Sequence, residues 1–198
     1  MAHTETKNLT SEAKKSVISA IRGVGDVAGA VVDATSGALV RALKGTRATG
    51  SELRDLITDT IVGTVRAVAD VGGEVEAAAG SIMVGALRGT EQVGKAGVDA
   101  VSVTAAALVK GAASVGADVG ATAQSALEGA MRGARDFGMT AEEAASAAAA
   151  GAIRGAGDVS ATALEEVRNV ITKTISGVKV VIREPFRSDE AQRKGRVT

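Results

Sequence analysis

Few residues in this chain could do chemistry, and their spacing does not let them cooperate. The one histidine, His3, lies in a polar N-terminal stretch, and there is no cysteine or tyrosine. General-base, thiolate and phenol chemistry therefore reduce to one terminal imidazole. Carboxylates pair at Glu142–Glu143 and Glu165–Glu166, on or near the polar side of the helical pattern described below. Exposure there leaves little tuning of their acidity. GVGDVAG and GAGDVS have the glycine density of a phosphate loop. No strand precedes either one and no Gly-Lys-[Ser/Thr] follows, so both are read as repeat glycine. No His/Asp/Glu cluster has metal-ligand spacing. The expectation is a protein that is not an enzyme, with no catalytic, cofactor-binding or metal residue.

What the glycines do belong to is a repeat. AIRGVGDV begins at Ala20, and related octets begin at Ala42, Thr64, Ala86, Leu108, Ala130 and Ala152, each 22 residues after the last. A degraded eighth copy begins at Thr174. No gaps are needed, which is how a repeat architecture appears in sequence. The fourth column holds Gly23, Gly45, Ala67, Gly89, Gly111, Gly133 and Gly155. The eighth holds Val27, Thr49, Val71, Val93, Val115, Phe137 and Val159. The third is always basic, and the ninth runs Ala28, Gly50, Gly72, Gly94, Gly116, Gly138, Ser160.

Within each copy the apolar residues step by three and four, as Ala20, Val24, Val27, Val31, Ala34 and Ala38 do. That is helical spacing rather than the alternation of a strand. Arg22, Asp26, Asp33, Glu52, Asp55, Glu74 and Asp99 fall opposite this stripe. A period of 22 is twice 11, about 3.67 residues per turn, so the stripe stays nearly straight along a long helix. Arg22–Asp26, Arg66–Asp70, Arg132–Asp136 and Arg154–Asp158 stand at i, i+4 on the polar face. They are read as a solvated face, with a zipper between copies as the sharper alternative.

The expected fold is all-α: eight 22-residue amphipathic repeats in long helices, arranged as antiparallel hairpins or a bundle. The domain expectation is a loose N-terminus at 1–10, a helical repeat region at 11–182 and a charged tail at 183–198. Thr10 or Ser11 would cap the first helix. Breaks at Gly50, Gly94 and Gly138 give helices over about 11–49, 51–93, 95–137 and 140–182. Thr140 with Glu143 forms a capping box after the last break. Without a break at Gly94 the middle helix would span 51–137. A glycine inside a helix costs about 1 kcal/mol relative to alanine. The fixed columns therefore need a role, either close helix approach or turns. The residues expected to pack helices together are Gly23, Gly45, Gly89, Gly111, Gly133, Gly155, Val27, Val71, Val93, Val115, Phe137 and Val159.

Composition limits the partners. Lys+Arg and Asp+Glu are both 23, so clustered uncompensated positive charge for nucleic acid is lacking. MAHTETKNLT has no apolar signal core, and the longest uncharged run, Ala77–Leu87, is 11 residues. A spanning helix needs about 20. The expectation is a cytoplasmic protein without a transmembrane segment, possibly peripheral to a membrane or granule surface.

At the level of period and composition, residues 11–182 resemble the 11-residue amphipathic helices of apolipoproteins, synucleins and perilipins. That resemblance implies helices that cover a lipid surface. The charge balance and the scarcity of large anchors depart from it. The leading expectation is instead a non-enzymatic scaffold whose partner is itself, as a homo-oligomer, with a lipid surface as the alternative. Stress-protective proteins of the late-embryogenesis-abundant kind, also 11-residue repeats, are more charged than this chain and come third.

Overall fold

Alanine is the best helix former, and the chain places it throughout a stretch that is free of proline up to Pro185. In a computed structural model of the chain, helices follow. The structure describes residues 27–172 apart from Gly45, Arg47 and Ala96. The expected loose N-terminus, the cap at Thr10 or Ser11, the eighth copy and the charged tail lie outside them.

The described residues are all-α, with no strand among them. The helices are α1 (Val27–Leu43), α2 (Ser51–Asp70), α3 (Val75–Gln92), α4 (Val98–Val115), α5 (Val119–Gly133), α6 (Ala141–Val159) and α7 (Ala161–Thr172). A 3-10 turn, Ala134–Phe137, prolongs α5.

These helices are shorter than expected. The chain breaks at Gly50, Gly94 and Gly138, and also at Gly72, Gly116 and Ser160. Both the 51–93 helix and the continuous 51–137 alternative are thereby corrected. The cause is local backbone geometry. Gly72 at φ 76° and Gly116 at φ 74° take the left-handed conformation that a Cβ disfavours. Each closes a Schellman motif. The Gly73 N–H donates to the Val68 carbonyl at 2.9 Å and the Gly72 N–H to Ala69 at 3.0 Å. The same outer bond recurs 22 residues on, from Lys95 to Thr90, Ala117 to Ala112 and Met139 to Ala134.

The two ends of the series differ. Gly50 has ψ −122° and precedes α2 as its N-cap, after a longer connection from Leu43. Ser160 is extended, at φ −168°, and its hydroxyl accepts from the Ala163 N–H at 3.1 Å, so it stops α6 by capping α7.

The expected box at Thr140 is present. The Thr140 hydroxyl accepts from the Glu143 N–H at 3.1 Å, and the Glu143 carboxylate accepts from the Thr140 N–H at 2.9 Å. These bonds, the backbone one foremost, hold Glu143 below the ordinary carboxyl range.

Packing follows a skip rule. α4 with α6, α1 with α3, α3 with α5 and α2 with α4 make the most extensive contacts. Successive helices touch less in most cases, and α5 also meets α7. Odd helices thus form one row and even helices another, with the core between and within the rows. Connections two units apart lie together: Lys95 Nζ donates to the Ala48 carbonyl at 3.2 Å, and the Asp118 N–H to Glu76 Oε1 at 2.8 Å.

Because each inner helix has neighbours in both rows, burial is wider than one stripe. Ile57, Ala79, Val101, Ala123, Ala145 and Val167 are buried in one column. Leu39, Ile61, Met83, Ala105, Leu127, Ala149 and Ile171 are buried in another. α4 is long and apolar enough to cross a membrane by length and composition, but 56% of that span is buried inside the fold, as befits an inner helix.

Replacing Gly116 by alanine forces a Cβ into the left-handed region and should cost about 1–2 kcal/mol. Thr140→Ala removes a cap and should cost about 1 kcal/mol. Urea unfolding followed by circular dichroism measures both, and a Gly116→Ala variant as stable as the parent would refute the turn assignment.

Candidate helix-packing site

The feature of the sequence that most needs explaining is glycine inside helices, and the structure places those glycines between helices of the same row. A methyl group added at Gly85 in α3 would lie 2.5 Å from the Val32 carbonyl oxygen of α1. One added at Gly89 would lie 2.9 Å from the Ser36 carbonyl oxygen. At Gly129 in α5 it would stand 2.5 Å from the Gly80 carbonyl oxygen of α3. At Gly155 in α6 it would stand 2.6 Å from the Ala106 carbonyl oxygen of α4, and at Gly151 it would collide with the Ser102 carbonyl.

The pairs 85–32 and 89–36 share one offset, and 151–102 and 155–106 share another. Constant offsets mean that these helices run parallel. Their backbones approach closely enough for Cα–H groups to face carbonyl oxygens, a weak attraction added to dispersion.

Of the residues expected to pack helices, Gly89, Gly111, Gly133 and Gly155 all stand at such contacts. Gly111 faces the Val65 side chain at 3.0 Å, and Gly133 faces Leu87 Cδ1 at 3.2 Å. Gly23, Gly45 and the Val27 side chain lie outside the described residues. The eighth column sits at helix ends and is less covered than expected. Val93, Val115 and Phe137 are half-buried against the core, and Val71 is a half-buried C-cap. Val159 is 41% exposed, a correction to its expected place on the seam. The reason is position: the eighth residue comes just before the turn glycine, where the helix leaves its neighbours.

One column was missed in the sequence. Gly63, Gly85, Gly129 and Gly151 occupy position 22, four residues before the fourth column. Together the two columns spell GALRG, GAMRG and GAIRG at 85–89, 129–133 and 151–155, the small-xxx-small spacing that lets helix backbones meet. The closest approaches in the molecule fall on this column. Counting glycine at every column, not only inside the recurring octet, would have found it.

The basic third column reaches across helices. Arg154 Nη2 donates to Ser102 Oγ at 2.9 Å. The Arg132 guanidinium lies over Gly80. Arg88 pairs with Asp33 at 3.0 Å, and Lys110 with Asp158 at 2.6 Å. The expected Arg154–Asp158 pair is thus replaced by two contacts to α4, because the helices approach closely enough for each side chain to reach its neighbour. These exposed pairs fix register more than they stabilise. Arg22–Asp26 lies outside the described residues.

Asp59 in α2 departs from this pattern: burial first, and the Asp55 carboxylate one turn away second, hold its carboxyl above the ordinary range. Among the described residues no group of three His, Cys, Asp or Glu side chains is placed to hold a metal ion. Glu142, Glu165 and Glu166 are exposed. His3 lies outside the described residues.

No family model, curated protein or solved structure matches the chain.

Two glycines of one helix make a controlled comparison. Gly151→Ala drives a methyl group into the α4 backbone, while at Gly157 an added methyl group meets nothing within 4 Å. By intrinsic preference both changes favour the helix by about 1 kcal/mol. Gly157→Ala should therefore stabilise by roughly that amount, and Gly151→Ala should destabilise by about 1–3 kcal/mol. Urea unfolding of the two variants checks the pair, and equal stabilisation would refute close packing.

A second test uses pH. A carboxyl whose folded pKa is raised weighs against folding while ionised and ceases to do so once protonated in both states. Asp59→Asn should therefore raise Tm at pH 7, and the difference should close as pH falls below about 4. Melting curves across that range read the effect, and a variant less stable at pH 7 would contradict it.

Proposed function

We propose that the chain is a non-enzymatic structural protein, a scaffold built from repeat helices that close on one another and associate with further copies of themselves. In this reading all eight 22-residue units follow the same plan. Consecutive helices form antiparallel hairpins, and units two apart interlock in parallel through the position-22 and fourth-column glycines. The observation that carries it is the fate of the apolar face: among the described residues, Val98 and Val159 are the large apolar side chains that stand exposed. A face covered by the chain's own helices favours a protein-built core.

The alternative is a coat on a membrane, lipid droplet or storage granule. It would need the rows to part and offer their buried columns to lipid, at the expense of the contacts at Gly85, Gly89, Gly129, Gly151 and Gly155. A stress-protective role has no observation in its favour beyond the repeat length. The proposed setting is cytoplasmic, without cofactor, metal or nucleic acid.

Circular dichroism and sedimentation, in buffer and with phosphatidylcholine vesicles, decide between the two. The scaffold reading expects full helicity and an oligomer without lipid, both unchanged by vesicles. A weakly helical monomer that gains helix and floats with the vesicles would overturn it in favour of the lipid coat.

A further inference from the structure

We infer that the far edge of α6, formed by Ser146, Ala150 and Ile153, is a docking surface for a helix of a second copy of this chain, seated parallel to α6. The inference rests on the self-association proposed above and assigns it a place and a geometry.

The surface is recognised from its occupied counterparts. The residues 44 positions earlier are Ser102, Ala106 and Val109 of α4, and α6 itself sits on that edge. Arg154 donates to Ser102 Oγ, Gly151 meets the Ser102 backbone and Gly155 the Ala106 carbonyl. Another 44 positions back, Val65 of α2 packs on Gly111 of α4. With a neighbour in place, Val65 and Val109 are 0% exposed and Ser102 8%. On α6 the corresponding Ile153 and Ser146 are only half-buried, as is Ala150. The face is the same repeated interface without its next helix.

The other row ends differently. On α7 the corresponding positions are Arg168 and Thr172, both exposed, beside exposed Glu165, Glu166 and Asn169. A polar outer face is how a repeat array caps itself. α7 has such a face, whereas α6 presents a serine, an alanine and an isoleucine.

The choice of a second copy follows from complementarity. An edge shaped for a parallel helix with glycine four residues apart fits the repeat's own columns. Residues 183–198 of the same chain do not supply such a helix. Placed 44 positions beyond the fully buried Ala145, Ala149 and Ala152 are Asp189, Arg193 and Arg196, with Pro185 before them. Charges at columns that must be alanine cannot repeat the packing. Front and back edges of a translated row are different surfaces, so the contact is heterologous and grows head to tail.

The test is sedimentation of the full chain over a concentration series, for the parent and for Ala150→Arg and Ser146→Arg. Glu165→Arg on the polar face of α7 serves as control. Circular dichroism and Tm confirm that each variant folds, which is expected because both edge positions are half-exposed and arginine is a good helix former. The parent and the control should grow past the dimer with concentration, and both edge variants should associate about tenfold more weakly or worse. A parent that assembles while both edge variants assemble equally well would overturn the docking face and leave the scaffold reading standing. A parent that stops at a closed dimer would overturn the parallel head-to-tail contact. A parent that stays monomeric at all concentrations would overturn both.

Discussion

The approach of one helix backbone to another, through glycines four residues apart, is the constraint on which the rest of this structure depends. At Gly85 and Gly129 the space for a Cβ is taken by a carbonyl oxygen of the neighbouring helix. Helices this close cannot be held apart by large side chains. That accounts for two Phe and no Tyr or Trp in 198 residues, and for a core built mainly of alanine, valine and isolated leucines. An alanine buries little area, about a third to a half of what a leucine does, so the stabilisation per residue is small. It must be recovered by contact density, which short separations between helices provide.

Parallel contact between units two apart also sets the turn spacing. A helix that meets its second neighbour in constant register needs every unit to have the same length. The Schellman bonds closing at Gly72, Gly94, Gly116 and Gly138 deliver that, each 22 residues after the last. The cross-row cations follow from the same register. Arg88, Lys110 and Arg154 occupy one column, and because the helices are in step each finds an oxygen on a neighbouring helix. In an isolated helix these side chains would have only their own i, i+4 partners.

The helical class, the period and the packing role of the fourth-column glycines can be read in the sequence because each leaves a pattern along one helix. The break after Gly138 was legible too, since Thr140 and Glu143 announce a new N-terminus through their side chains. The break at Gly72 was not. There the left-handed residue does the stopping, and the next N-cap, Glu74, makes no side-chain cap bond. A search for Ser or Thr after glycine passes over it. Gly116 lay between these cases: Asp118 caps α5 by accepting from the Ala121 N–H at 2.8 Å, an unused signal two residues past a ninth-column glycine. The skip-one packing was illegible for a different reason. A helical wheel sorts residues into one apolar and one polar side, whereas an inner helix of two rows is covered on three sides. Position 22 lies beside the basic third column, where a single-stripe reading places solvent.

A glycine column that meets a backbone is also a means of discrimination. Apolar stripes of alanine and valine fit any greasy surface, a lipid bilayer included, because hydrophobic burial has no direction. A Gly-x-x-x-Gly ridge set against carbonyl oxygens fits one partner at one offset, since a shift of a single residue would set Cβ groups against those oxygens. The chain pays about 1 kcal/mol of helix propensity at each such site. A lipid-coating helix gains nothing from that cost, since acyl chains rearrange around any side chain. The recurrence of the ridge at 85–89, 129–133 and 151–155 therefore speaks for a partner as regular as the chain itself. Helices of the same repeat are such a partner, within one chain or between chains.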